Sequence, residues 1–253
     1  MSYLECQNCQ RSFEGKYCSN CGQRFIGNKR LKMREVIDDF LDNTFNLHKG
    51  FFFTFWNLIV KPGYVAQSYI NGQRKMFTNP TRYMVIALAF QTFIDYWFKT
   101  TDVIENETYY RFSFLSDRIN DSMEVWNVKL AVEYILLSNM FMILLIPALL
   151  YLVFRELNYN YTELLIVSFY FIPTILFITM PFLFVTKVIF GVFVSLEFIT
   201  FIFISYLLWS HLLFFRMVPL WLRLLKILMV VIIFMITRIL LLPFILSLIY
   251  PLA

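Results

Sequence analysis

Apolar positions change character along the chain near residue 80. From Met33 to Phe45 they recur at three- and four-residue spacing (Met33, Val36, Ile37, Phe40, Leu41, Thr44, Phe45), with Glu35, Asp38, Asp39 and Asp42 mostly opposite. That period predicts an amphipathic helix. Next comes Phe51-Phe-Phe-Thr-Phe-Trp-Asn-Leu-Ile-Val60, bounded by Gly50 and by Pro62-Gly63. The run is too short for the roughly 20 residues that a bilayer span needs. It is expected as an aromatic-rich helix in the headgroup layer, with a re-entrant segment as the alternative. Tyr64 to Ile70 is expected to form short helical turns that Gly72 ends in the left-handed conformation. From Pro80 onward the apolar stretches lengthen, at about 80–98, 128–154, 164–184, 188–215 and 227–250. They predict an all-α membrane protein of about five transmembrane helices. The fourth stretch is long enough to need tilt or a break, for which Gly191 is the candidate. Between the first two, Asp117 to Trp126 is expected as a small outer cap or amphipathic helix.

Composition agrees with lipid as part of the solvent. The chain is 59% hydrophobic and 15% charged, whereas soluble domains carry roughly 25% charged residues. The N-terminal 24 residues hold four cysteines among polar residues instead of the apolar core of a leader, so no cleavage is expected.

Charge adds a topology. Residues 1–82 contain twelve Lys/Arg against six Asp/Glu, whereas 99–127 contain three against six. With the N-terminus inside, sixteen basic residues fall on the cytoplasmic side and five outside. The positive-inside rule then gives N-in and C-out. The net charge of +5 is thereby explained by topology, and nucleic acid is not an expected partner.

Candidate chemistry is concentrated at the start. Cys6, Cys9, Cys18 and Cys21, all the cysteines of the chain, form Cys-x2-Cys-x8-Cys-x2-Cys, with Gly22 after the second pair and Gln10 in the matching place of the first. Two Cys-x2-Cys turns on a short hairpin supply a tetrahedral set of thiolates for one structural Zn2+. Two disulfides are the rival reading, which a cytoplasmic, reducing location disfavours. Four thiolates leave no open position for substrate, and a hairpin this small cannot bury a core of its own. The metal is therefore expected to be a folding staple. The expected units are a zinc ribbon at 1–27, a basic, amphipathic connector at 28–79 and a transmembrane domain at 80–253.

The ribbon ending Tyr17-Cys-Ser-Asn-Cys-Gly-Gln23, the Pro62-Gly63 with Tyr69, Gly72, Arg74 and Lys75, and Asn160-Tyr161-Thr162-Glu163 together carry a resemblance. The chain resembles a family of uncharacterised bacterial membrane proteins with an N-terminal zinc ribbon, over residues 6 to about 170. The resemblance implies the bacterial cytoplasmic membrane and this architecture, and little mechanism. That family usually has His after the acidic residue of the third motif, where this chain has Leu164, so Glu163 is not expected to form a metal- or proton-handling pair.

Arg74, Lys75 and Arg82 stand at the entrance to the first span. They are expected to anchor to inner-leaflet phosphates, or, with Tyr69, to form a docking surface for lipid or a protein partner. Charges at membrane depth cost roughly 2.5 to 3.5 kcal/mol each. Asp95, Glu133, Glu163 and His211 lie near span ends, where the interface is within reach. Glu197 and Arg238 lie deeper at similar depths in antiparallel spans, and are expected to pair. No His-Glu-x2-His motif and no nucleophile beside a base appears, so an enzyme is not expected. The function expected is interaction or assembly in a membrane complex, with a small-solute, ion or lipid transporter as the alternative.

Overall fold

The computed structural model describes residues 4–25, 32–33, 50–98, 111–131, 133–191 and 196–251; the side chains of Asp95, Phe98, Leu196 and Glu197 fall outside that set. Apart from Met33, the amphipathic helix expected at 33–45 also lies outside the described residues. The N-terminal region is a small hairpin. Strand β1 (Leu4–Glu5) pairs antiparallel with β2 (Ser12–Phe13), in the register Leu4 to Phe13 and Glu5 to Ser12. Among the described residues its buried apolar core is Cys6, Phe13 and Cys18, with Leu4, Cys9 and Cys21 packed against it.

Helices follow: α1 (Phe51–Val60), α2 (Pro62–Ile70), α3 (Pro80–Phe98), α4 (Asp117–Ala131), α5 (Ile135–Val153), α6 (Tyr161–Phe190), α7 (Leu196–Phe214) and α8 (Leu220–Ile249). A π-helical turn, Thr237–Leu241, interrupts α8. Proline and asparagine punctuate the chain as their chemistry requires. Pro62 opens α2 directly after Lys61 ends α1. Asn79 precedes Pro80 and accepts from the N–H groups of Thr81 (3.0 Å) and Arg82 (3.3 Å), capping α3. Asn160 and Glu163 form a reciprocal capping box at the start of α6. The third motif of the sequence is thus a helix start, with Glu163 buried in it.

Among the described residues three helices, α5, α6 and α8, are long and apolar enough to cross a membrane. Of the five stretches expected to span, three are thus supported on length and composition. The run at 80–98 is a helix, but Arg82, Gln91 and Asp95 dilute its apolar character. The stretch at 188–215 is divided at Gly191, which ends α6 in the left-handed conformation, so Val188 to Phe190 belong to the preceding helix. What remains, Phe198–Phe214, is a shorter apolar helix. The stretch at 128–154 is likewise divided, since its first residues complete α4 and α5 starts at Ile135. The amphipathic helix expected around Asp117 is α4.

One helix is the hub. The most apolar part of α6 is 72% buried, against 33% for α5 and 28% for α8. It packs against α1, α2, α3, α5 and α7. At one end of the bundle α5 stops, α6 starts, α7 stops and α8 starts. There Phe154 stacks on Phe215 at 3.9 Å and Tyr159 lies 5.3 Å from Phe214. Cations close the helix C-termini at this end. Arg223 donates to the Leu212 carbonyl (2.6 Å), and Lys226 donates to Val153 (3.0 Å) and pairs with Glu156. That pairing lowers the Glu156 carboxyl below its usual range. At the other end α4 packs on the last part of α8. Trp126 donates to the Tyr250 carbonyl and Asn127 to that of Ile239, inside the π-helical turn.

Candidate metal centre and its docking on the helical body

The four sulfurs converge. Their Sγ atoms all lie within 4.8 Å of one another, with Cys6 to Cys21 and Cys9 to Cys18 both at 3.6 Å. A tetrahedral ion with bonds near 2.3 Å sets its sulfurs about 3.8 Å apart, so the donor set fits a metal of zinc's size. All four are free cysteines.

The two halves of the site are copies of one local design. Cys6 N–H donates to the Arg11 carbonyl (3.0 Å), as Cys18 N–H donates to Gln23 (2.8 Å). Gln10 N–H returns to Cys6 and Gly22 N–H to Cys18, both at 2.8 Å, with Gln10 at φ 59° and Gly22 at φ 68°. The Arg11 amide bonds the Cys9 sulfur and the Gln23 amide the Cys21 sulfur. Tyr17 pairs with Arg24 as Glu5 pairs with Ser12. Phe13 and Phe25 meet edge-on at 5.9 Å beneath the two loops. A displacement of twelve residues superposes Cys6, Asn8, Cys9, Phe13 and Gly15 on Cys18, Asn20, Cys21, Phe25 and Gly27. Aligning the first 27 residues with themselves reveals this repeat, which cysteine spacing alone does not.

Electrostatics distinguish the sulfurs. The Arg11 amide, then the Asn20 side chain, lower the Cys9 thiol to about 6, whereas burial pushes that of Cys21 up to about 11. Without a cation the cluster retains protons that an incoming metal must displace.

The ribbon sits on the turn between α2 and α3, and Gln23 makes the junction. Its side chain is 4% exposed. It donates to the Gly72 carbonyl and accepts from the amides of Arg74 (3.2 Å) and Lys75 (3.3 Å). Gly72 has φ +95°, and a Cβ there would collide with the Gln7 side chain from the first loop. Its amide and that of Gln73 return to Tyr69 (3.1 Å) and Ser68 (2.9 Å), the bonding that ends a helix with a left-handed residue.

The turn is tied to the hub in its own right. Thr78 N–H donates to Thr54 Oγ1 (2.8 Å), and the Thr78 carbonyl accepts from the Tyr170 hydroxyl (2.7 Å). Tyr83 bonds Thr174 at 3.0 Å, and Tyr69, Tyr83 and Tyr170 form a cluster with ring centroids 6.0 and 6.1 Å apart. Gly63 lets α2 meet α7 backbone to backbone. A Cβ there would lie 2.6 Å from the Leu213 carbonyl carbon and 2.8 Å from the Phe214 nitrogen.

Residues 49–92 match the family model described as "Protein of unknown function (DUF3667)". No curated protein and no solved structure matches the chain. The matched segment contains α1, α2, the ribbon-bearing turn and most of α3, and it includes Gly63, Gly72 and the cap at Asn79.

The other candidate residues are dispersed. Tyr69 is 1% exposed and belongs to the core, which removes it from a docking surface. Arg74 is half-buried with its guanidinium 5.7 Å from the Tyr69 ring centroid, Arg82 is half-buried, and Lys75 is exposed. Arg238 lies in the π-helical turn of α8, and its expected pairing with Glu197 falls outside the described residues. His211 is buried inside the bundle near the end of α7, with Nδ1 2.8 Å from the Leu207 carbonyl and its ring edge-on to Phe171. Sequence reasoning missed Gln23. Its neighbouring cysteines mark it as part of the loop, but nothing local announces a partner turn 49 residues away.

Proposed function

We propose that the protein is a multi-pass component of the bacterial cytoplasmic membrane whose cytoplasmic ribbon, held by one structural Zn2+, serves interaction or assembly within a membrane complex. Convergence of the four sulfurs on matched loops carries this reading. Four thiolates complete a tetrahedral sphere, so the metal stabilises a fold and does not activate a substrate. In this reading α3 and α7 cross the bilayer with α5, α6 and α8, the hub supplying the polar partners that α3 needs. N-in topology is supported by Arg155 and Arg216, which follow α5 and α7, and by Arg223 and Lys226 in the first turns of α8, at the end of the bundle where these helices meet. The chain is not an enzyme in this reading, and lipid and a protein partner are its ligands.

Polar groups among the helices favour assembly over transport. Asn139 bonds Gln91 at 2.9 Å, Tyr83 bonds Thr174, and Tyr206 bonds the Leu58 carbonyl at 2.9 Å. Each is satisfied by a neighbouring helix, as packing contacts in membrane bundles are. Meanwhile the ribbon exposes two aromatic residues, Tyr17 and Phe25, and three basic ones, Arg11, Lys16 and Arg24, to which a partner could dock. Purification in mild detergent of wild type beside a Cys18→Ser, Cys21→Ser form tests this function. A specific co-purifying protein lost from the double variant is the expected result; an identical partner set refutes docking through the ribbon. Metal analysis of the purified protein, expected at one zinc per chain, tests the centre itself.

A further inference from the structure

Gln23 belongs to two structures at once. Its backbone carbonyl closes the second cysteine loop by accepting from Cys18, and its backbone amide bonds the Cys21 sulfur. Its side chain supplies three hydrogen bonds to the backbone of Gly72, Arg74 and Lys75. Gln7, from the first loop, occupies the space that a Cβ on Gly72 would need. The ribbon therefore grips a bare stretch of backbone with a contact in which hydrogen bonds, whose strength depends on direction, are central.

We propose that the ribbon is a metal-dependent clamp on the Gly72–Lys75 turn, with Gln23 as the coupling residue, so that metal occupancy sets the order of the entrance to α3. The inference rests on the metal-centre reading above and adds a consequence to it. Cys6, Phe13 and Cys18, the buried core among the described ribbon residues, are too small to hold the Gln23 loop when no metal joins the sulfurs. Release of the loop removes all three bonds together. The turn then keeps the capping bonds of Gly72 and Gln73 to Tyr69 and Ser68 and its links through Thr78 and Asn79, but loses its hold on the backbone at Arg74 and Lys75. Coupling is reciprocal: a turn that fits the clamp tightens the metal, and a turn that cannot fit loosens it by the same factor. The ribbon is in this sense a part of the membrane body when loaded and a tethered chain when empty.

Limited trypsin digestion of the full-length protein in lipid nanodiscs tests the clamp, with cleavage after Arg74 and Lys75 followed by mass spectrometry and metal content measured on the same samples. In the zinc-loaded wild type these two bonds are expected to be cut slowly. Chelation is expected to accelerate them about ten-fold or more, the scale set by losing several hydrogen bonds of ordinary net strength, and added Zn2+ to restore protection. Gln23→Ala is expected to be cut fast even with one zinc bound. Gly72→Val, which leaves every ribbon residue in place, is expected to behave likewise. A wild type stripped of zinc yet still protected after Arg74 and Lys75 would overturn this inference alone, as would zinc-loaded Gln23→Ala and Gly72→Val that are both protected like wild type. A wild type that binds no metal overturns the metal-centre reading and the clamp together.

Discussion

The ribbon and the hub helix reach fixed structures by opposite means. Among its described residues the ribbon has three buried apolar ones, two of them candidate metal ligands, whereas the first half of α6 buries Leu164, Ile166, Val167, Tyr170 and Phe171 almost completely. In the proposed reading the ribbon depends on one strong metal centre, and its loops repeat because both must present sulfurs to the same point. The hub depends on many weak contacts, and its neighbours do not repeat because each fills a different space. Damage should therefore be all-or-none in one region and graded in the other.

The largest contrast comes from the metal centre. Cys18→Ser should abolish metal binding and unfold the ribbon, since structural zinc supplies about 10–16 kcal/mol in small zinc-dependent folds. Zinc content should fall from one per chain to none while the helical circular dichroism of the body is nearly unchanged; loss of both together would show that the two regions do not fold independently. Next is a graded lesion in the body. Gly63→Ala places a methyl group against the backbone of Leu213 and Phe214, and overpacking of this kind costs about 1–3 kcal/mol. Thermal unfolding in detergent should shift downward at unchanged zinc content.

Acidity should separate the regions more gently. Cys21 holds its proton up to about 11, whereas Cys9 has already lost its own above about 6. Metal must displace the Cys21 proton at neutral pH, so apparent affinity should rise with pH between those values, by up to about ten-fold per unit for each proton released. Affinity should fall further as pH drops through the Cys9 range. A competition titration against a chromophoric chelator measures the slope, and a flat profile would contradict proton displacement. The smallest effect belongs to a single bond in the bundle. Asn139→Leu removes the bond to Gln91 and should destabilise the body by about 0.6 kcal/mol, the average for such bonds between membrane helices. A loss several times larger, read as a shift in unfolding temperature, would mean that Gln91 has no second partner and is left buried and unsatisfied.

Much of this design was legible beforehand because its signals are local. The four ligands lie within sixteen residues, so spacing alone brings them together. Pro62-Gly63 separates α1 from α2, Gly72 ends α2, and Gly191 ends α6, each for reasons of backbone geometry that hold in any context. Where the reading went astray, apolar length stood in for structure. The apolar run at 188–215 joined the last residues of α6 to α7 across the break at Gly191, and that at 128–154 joined the end of α4 to α5, while Arg82, Gln91 and Asp95 make the apolar character of the helix at 80–98 depend on neighbours.

By itself, then, the sequence determined the candidate metal-ligand set, the helix-rich body and several of the points where helices start and stop, because capping, turn chemistry and hydrophobic period act over a few residues. Only the tertiary structure decided that Tyr69 is core and not surface, that Gly63 is required by a helix 150 residues further on, and that Gln23 joins the ribbon to the body. Those three facts depend on which surfaces meet in space. A residue's own neighbours in sequence exert no force that could announce it.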